Sequence, residues 1–274
     1  MKRLIAALGL ALLSLACHAV EPKRTQLDGE RAESILWVGN SFFYYNNGIQ
    51  SMMSALSQGA GPDNHMRNVM TAIGGAGIDW HDLDAYLKPG SKLGYYSFYG
   101  DNQVRFNKPG RQFDTVIIMD CSQCPIHPQL KEVFHEYVKK DSDIARKYGA
   151  RPVFFMSWAY KDHPEMTAQL AEAYTREANA NDALVIPAGL AFAKAIERRP
   201  DLEFYQPDKR HPQRIGTYLA ACTAFAALTG ASPVGNTYTA GIDKETAAFL
   251  QSVAWDTVRE YYKGTRPVTA NESK

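Results

Sequence analysis

The chain carries almost no excess charge of either sign: 30 Lys and Arg stand against 29 Asp and Glu, a net charge of +1 with His neutral. A basic face is what selects nucleic acid or an anionic membrane surface, so neither is expected as a partner. No segment repeats and no Pro-, Gly- or Ser-rich linker divides the chain, so its 274 residues read as one domain. Only one long apolar run occurs, Leu4 to Leu15. At about a dozen residues it is too short to span a bilayer.

That run follows a basic Met1-Lys2-Arg3 and leads through small residues to a polar break at Glu21-Pro22, the layout of a secretory signal. Cleavage after Ala19 puts Cys17 and Ala19 at the two small-residue positions. Residues 1–19 are therefore read as a signal peptide and residues 20–33 as a charged, turn-rich tether outside the fold. The mature protein is expected to be exported, periplasmic or secreted, without a transmembrane segment. A second reading makes it a lipoprotein anchored through Cys17, although Ser14 stands where a lipobox wants Leu. Of the four cysteines, Cys121, Cys124 and Cys222 then remain. An oxidising compartment allows Cys121 and Cys124 to pair and leaves Cys222 free; the alternative is three buried small hydrophobes.

What is present is an alternation of strands and helices. Ile35–Val38 reads as a buried strand running into a Gly39-Asn40-Ser41 turn. Asn46–Ser57 has Ile49, Met52, Met53 and Leu56 at helical spacing. A strand follows over Met66–Ile73, closed by Gly74-Gly75-Ala76-Gly77, then a helix over Ile78–Leu87. Residues 88–111 read as a pair of short strands or a substrate-facing loop. Phe113–Asp120 is the clearest buried strand, a near-continuous β-branched run. Gln129–Tyr148, Pro164–Asn179, Leu190–Arg198, Gln213–Thr229 and Lys244–Tyr262 read as helices, with strands at Pro152–Trp158 and Leu184–Pro187. This order predicts an α/β fold over residues 34–262, a mostly parallel sheet covered on both faces, with a polar tail at 263–274.

In such a sheet every loop after a strand emerges at one edge, where chemistry is placed. Ser41, Gly74-Gly75, Ser122-Gln123 and the loop after Trp158 therefore converge. A serine nucleophile needs a base to take its proton and a group to orient that base. Among the histidines, His211 has Asp208 three residues before it, a spacing that lets a carboxylate in a turn reach the imidazole. The competing reading is that Asp208 caps the turn and His211 is a surface loop residue.

Gly39-Asn40-Ser41, Gly75 after the second strand and Asp208-x-x-His211-Pro212 before a late helix together resemble the blocks of the SGNH (GDSL-type) hydrolase superfamily. The wording is similar to an exported branch with a Gly-Asn-Ser turn, a Gly-Gly turn with a His a few residues on, and a late Asp-x-x-His-Pro. The resemblance covers residues 34 to about 230. It implies a three-layer αβα flavodoxin-like fold, Ser41 as nucleophile, His211 as general base and Asp208 as its orienting partner. The oxyanion hole would use the backbone N–H of Ser41 and Gly75. The superfamily's Gly-x-Asn-Asp block is missing, and Gln123, ahead of Ser122, takes the place of its Asn donor. No metal or cofactor is called for.

The function expected is a serine esterase, with O-deacetylation of a carbohydrate ahead of another short-chain ester. Aromatics near strand ends suit sugar stacking, and Asn40, His81, Trp158 and Tyr160 are expected beside the substrate. Two alternatives remain: a non-catalytic binding protein on the same fold, and a redox protein using Cys121-Ser122-Gln123-Cys124. A metal site on His81, Asp79 and Asp82, with His65 as a further ligand, is a third and weaker alternative, since those three positions do not share a helix face and one ion would need an irregular backbone there. The oligomeric state is not legible.

Overall fold

The computed structural model describes residues 20–61, 64–98 and 103–262. The residues expected to form a signal peptide, with Cys17, and those expected to form a polar tail lie outside the described residues.

Five parallel strands form the central sheet: β1 (Ser34–Gly39), β2 (Arg67–Ala72), β5 (Thr115–Ile118), β6 (Arg151–Phe155) and β7 (Leu184–Ile186), in the order β2-β1-β5-β6-β7. A separate antiparallel pair, β3 (Tyr96–Phe98) and β4 (Val104–Phe106), occupies the irregular stretch. The helices are α1 (Ser41–Tyr44), α2 (Ile49–Gly59), α3 (Leu83–Leu87), α4 (Lys131–Lys147), α5 (Met166–Ala180), α6 (Ala188–Arg198), α7 (Arg214–Thr229) and α8 (Lys244–Tyr261). They flank the sheet in two groups: α2, α6, α7 and α8 pack together, as do α3, α4 and α5. The fold class agrees with the expectation, with every strand of the main sheet parallel.

β1 is an interior strand, between β2 and β5, and its residues suit that place: Ile35, Leu36, Trp37 and Val38 are all buried, as is the whole of β5 beside it. Chain order runs from β1 outward to β2, then returns to β5 on the other side of β1. The loops after β1 and β5 therefore leave in opposite directions and open a crevice at that switch point, where α/β sheets place ligands.

Three local readings change. The helix expected at Asn46–Ser57 starts later, at Ile49, because Asn46 and Asn47 adopt left-handed backbone (φ +56° and +70°). The helix expected at Ile78–Leu87 breaks into a 3₁₀ turn (Ile78–Trp80) and α3, since His81 is extended and Asp82 caps α3 by accepting from the Ala85 N–H. The stretch taken as a tether lies on the domain. Asn179, near the end of α5, accepts from the Lys23 N–H and donates to the Glu21 carbonyl; Arg24 pairs with Asp182; Ala32 is fully buried. Its polar residues find partners on the domain, which a composition-based reading does not reveal.

Candidate active site

Ser41 begins α1 at the carboxyl end of β1, capped by Asn40, whose Oδ1 accepts from the Phe42 N–H. Its Oγ lies 2.8 Å from Nε2 of His211, 170 residues later in the chain. His211 Nδ1 lies 2.5 Å from Asp208 Oδ2. A carboxylate only accepts, so the imidazole proton sits on Nδ1 and Nε2 is left to accept from the serine hydroxyl. Burial works to raise the Asp208 carboxyl, but hydrogen bonds from the His211 ring and from the Arg210 and His211 N–H groups hold it down at about 2. It is thus a carboxylate throughout the neutral range. The His211 side chain is 23% exposed, so the pair is reachable by a substrate.

The His211 loop is fixed from several sides. Tyr205 and Pro212 form a β-bridge, the Gln206 N–H donates to the His211 carbonyl, and Lys209 takes a left-handed φ of +63° that closes the turn. Trp158 donates its indole N–H to the Arg210 carbonyl and is stacked between Phe42 and Phe192, with centroids 4.5 and 4.2 Å away. Tyr45 stacks on the His211 ring at 4.3 Å. Asn46 donates to the Pro212 carbonyl and to Thr217 Oγ1, tying the Ser41 segment to the His211 segment. Sequence reasoning assigns no such role to Asn46 or Phe42 and takes Tyr45 for one of the aromatics suited to sugar stacking. The signal available was Asn46-Asn47-Gly48, three residues tolerant of left-handed backbone, which marks a turn rather than a helix start.

Gly75 takes a φ of +74° in an exposed turn, and a Cβ there would meet nothing within 4 Å. Its glycine serves backbone conformation, not the relief of a clash within the protein. The N–H groups of Ser41 and Gly75 donate to no protein acceptor among the described residues. Gln123 is exposed on the loop after β5, in a short loop closed by the Cys121–Cys124 disulfide. Ser122 Oγ and Tyr160 OH are 2.6 Å apart, which fixes that loop against the one after β6.

The four residues expected beside the substrate are inside the protein. Asn40, His81, Trp158 and Tyr160 are all buried. His81 Nε2 faces the Gly39 carbonyl at 2.9 Å and Nδ1 faces Tyr86 OH, while burial lowers its pKa. It supports the end of β1 from behind. Trp158 is a packing slab, and Tyr160 bridges two loops beneath the Arg210 guanidinium. A cavity of about 420 Å³ lies beside Tyr160, Phe192 and Phe204, but none of Ser41, Asp208 or His211 lines it.

The fold matches that of solved structures. The chain has an SGNH-like fold. A DUF4886 family protein from Bacteroides uniformis superposes with a TM-score of 0.59 at 20% identity, over 84% of this chain and 96% of that one. A protein assigned to the SGNH hydrolases in Slackia heliotrinireducens gives 0.52 at 22% identity, over 72% and 98%. An acetylxylan esterase from Geobacillus stearothermophilus gives 0.51 at 16% identity, over 76% and 99%. No family model and no curated protein matches the sequence.

Proposed function

We propose that the chain is a serine esterase that removes short acyl groups, with O-acetylated carbohydrate as the leading substrate class. The observation that carries the reading is the continuous hydrogen-bond path Ser41–His211–Asp208 at the carboxyl edge of the sheet. Nε2 of His211 takes the Ser41 proton as Oγ attacks the ester carbonyl. The imidazolium so formed is stabilised by the Asp208 carboxylate, which stays ionised. The Ser41 and Gly75 N–H groups, with the Gln123 side-chain amide as third donor, would receive the tetrahedral oxyanion, each worth about 3 kcal/mol in the transition state. Collapse returns the proton from Nε2 to the departing alcohol. Water, deprotonated by the same nitrogen, then frees the acid from Ser41.

Carbohydrate is favoured by exposed aromatics: Tyr44 at 41% and Trp80 at 60% exposure, with Tyr44 OH close against Gly74. Acetylxylan esterases on the same fold agree with it. The basic, apolar N-terminus supports export.

The test is p-nitrophenyl acetate turnover by wild type, Ser41→Ala and His211→Ala, followed by longer acyl esters. Loss in both variants and a preference for acetyl are expected. Full activity in both variants overturns the triad, and an inert wild type favours a non-catalytic binding protein on the same fold.

A further inference from the structure

One buried polar pair ties the nucleophile turn to both loops that carry the remaining oxyanion donors. Asn40 Nδ2 donates to the Ala76 carbonyl and to the Asp120 carbonyl, each at 3.1 Å. Asp120 Oδ1 accepts from the Ile78 N–H and the Cys121 N–H, each at 2.7 Å. Ala76 and Ile78 follow the turn of Gly75; Cys121 opens the loop of Gln123. The fit is close: a Cβ on Gly77 would sit 3.5 Å from Asp120 Oδ1 and 2.6 Å from Asp79 Oδ1. Asp120 Oδ2 is buried without a hydrogen-bond partner. A carboxyl half-used and 2% exposed is costly to keep inside a protein. What it supplies at Oδ1 is a fixed spacing between two loops that share no strand pairing with each other.

We propose that Asp120, acting with Asn40, is the positioning residue of the oxyanion loops, setting Gly75 and Gln123 relative to Ser41 without touching the substrate. The catalytic part rests on the esterase reading; the bracing of the loops does not. The arrangement also accounts for Asn rather than Asp at position 40, since a carboxylate there would face two carbonyl oxygens and donate to neither. Burial pushes the Asp120 carboxyl up to about 6, against the Ile78 and Cys121 N–H bonds and with Asp79 adding to the rise. Tyr174 of α5 is the other titratable group coupled to it.

The variants are Asp120→Asn, whose carbonyl oxygen still accepts both N–H bonds, Asp120→Ala, and Asn40→Ala. Steady-state kinetics on p-nitrophenyl acetate should show kcat down about 100-fold in Asp120→Ala with KM nearly unchanged, the effect of a misplaced donor set. Asp120→Asn should recover most of that loss. Amide hydrogen exchange should quicken at Ile78 and Cys121 in Asp120→Ala and stay slow in Asp120→Asn. If Asp120→Ala does not fold, Asn40→Ala must show the same split between kcat and KM. Unchanged kcat in the alanine variants, or unchanged exchange at both amides, overturns the proposal. An inert wild type strikes only the esterase reading, because exchange at Ile78 and Cys121 still judges the brace.

Discussion

Tyr45 lies face to face with His211, the ring centroids 4.3 Å apart and the planes 12° from parallel. Tyr44 stacks in turn on Tyr45 at 5.8 Å, and the Phe42 ring meets the His211 imidazole edge-on at 5.6 Å. The histidine is thus held between aromatics that follow Ser41 closely in sequence, so one short segment, α1 and the residue after it, carries the proposed nucleophile and supports its proposed base. An imidazolium gains from a facing aromatic ring, which favours the charged state formed during catalysis.

Tyr45→Leu is therefore expected to lower kcat by about 3- to 10-fold while KM changes little, from a stacking contribution of roughly 0.5–1.5 kcal/mol. Tyr45→Phe keeps the ring and should be near wild type. Equal activity in Tyr45→Leu would remove the ring from the account.

Asn46 combines a left-handed φ of +56° with two hydrogen bonds to the segment after His211. Asn46→Gly keeps the backbone and loses the bonds, and should cost about 1–2 kcal/mol of stability in urea unfolding. Asn46→Ala adds backbone strain and should cost more. The order of the two variants is the check.

Asp141 sits buried on α4, and burial pushes its carboxyl up to about 7, eased slightly by Lys140. Its folded pKa is raised, so between its ordinary value of 3.8 and about 7 the folded state holds a proton that the unfolded state releases. Stability then falls as pH rises through that window. Asp141→Asn should stabilise the protein by roughly 2–4 kcal/mol at pH 8, with the difference vanishing below about pH 4. Thermal or urea unfolding at several pH values measures it; a difference independent of pH would contradict the assignment.

The Cys121–Cys124 disulfide closes a very short loop, and Cys222 is a buried free thiol among the described residues. Replacing both loop cysteines by alanine should cost about 2 kcal/mol of stability while esterase turnover persists. Thiol–disulfide exchange by the wild type that is lost in this variant would favour the redox reading instead.

Much of the fold was legible because strands and helices bury different periodicities. The β-branched run of β5 and the amphipathic spacing of α4 and α8 needed no tertiary knowledge. Ser41, Asp208 and His211 could be singled out because the edge of a parallel sheet gathers loops that are far apart in sequence. What stayed hidden depends on contacts. Trp158 after a strand looks like a stacking surface for sugar, yet it is sandwiched by Phe42 and Phe192 from two distant segments. His81 breaks an expected helix because its ring turns inward to the Gly39 carbonyl. Asp120 was read only as the end of a strand, and its bonds to Ile78 and Cys121 exist only once β2 and β5 flank β1.

The central claim is that the Ser41 hydroxyl is activated by His211. The most direct measurement is intact-mass and peptide mapping after treatment with a fluorophosphonate, on wild type and on His211→Ala. One adduct is expected, on the peptide containing Ser41, formed rapidly in wild type and slowed at least about 100-fold without the base. No adduct on Ser41 in the folded wild-type protein, or equal rates in the two proteins, would contradict it.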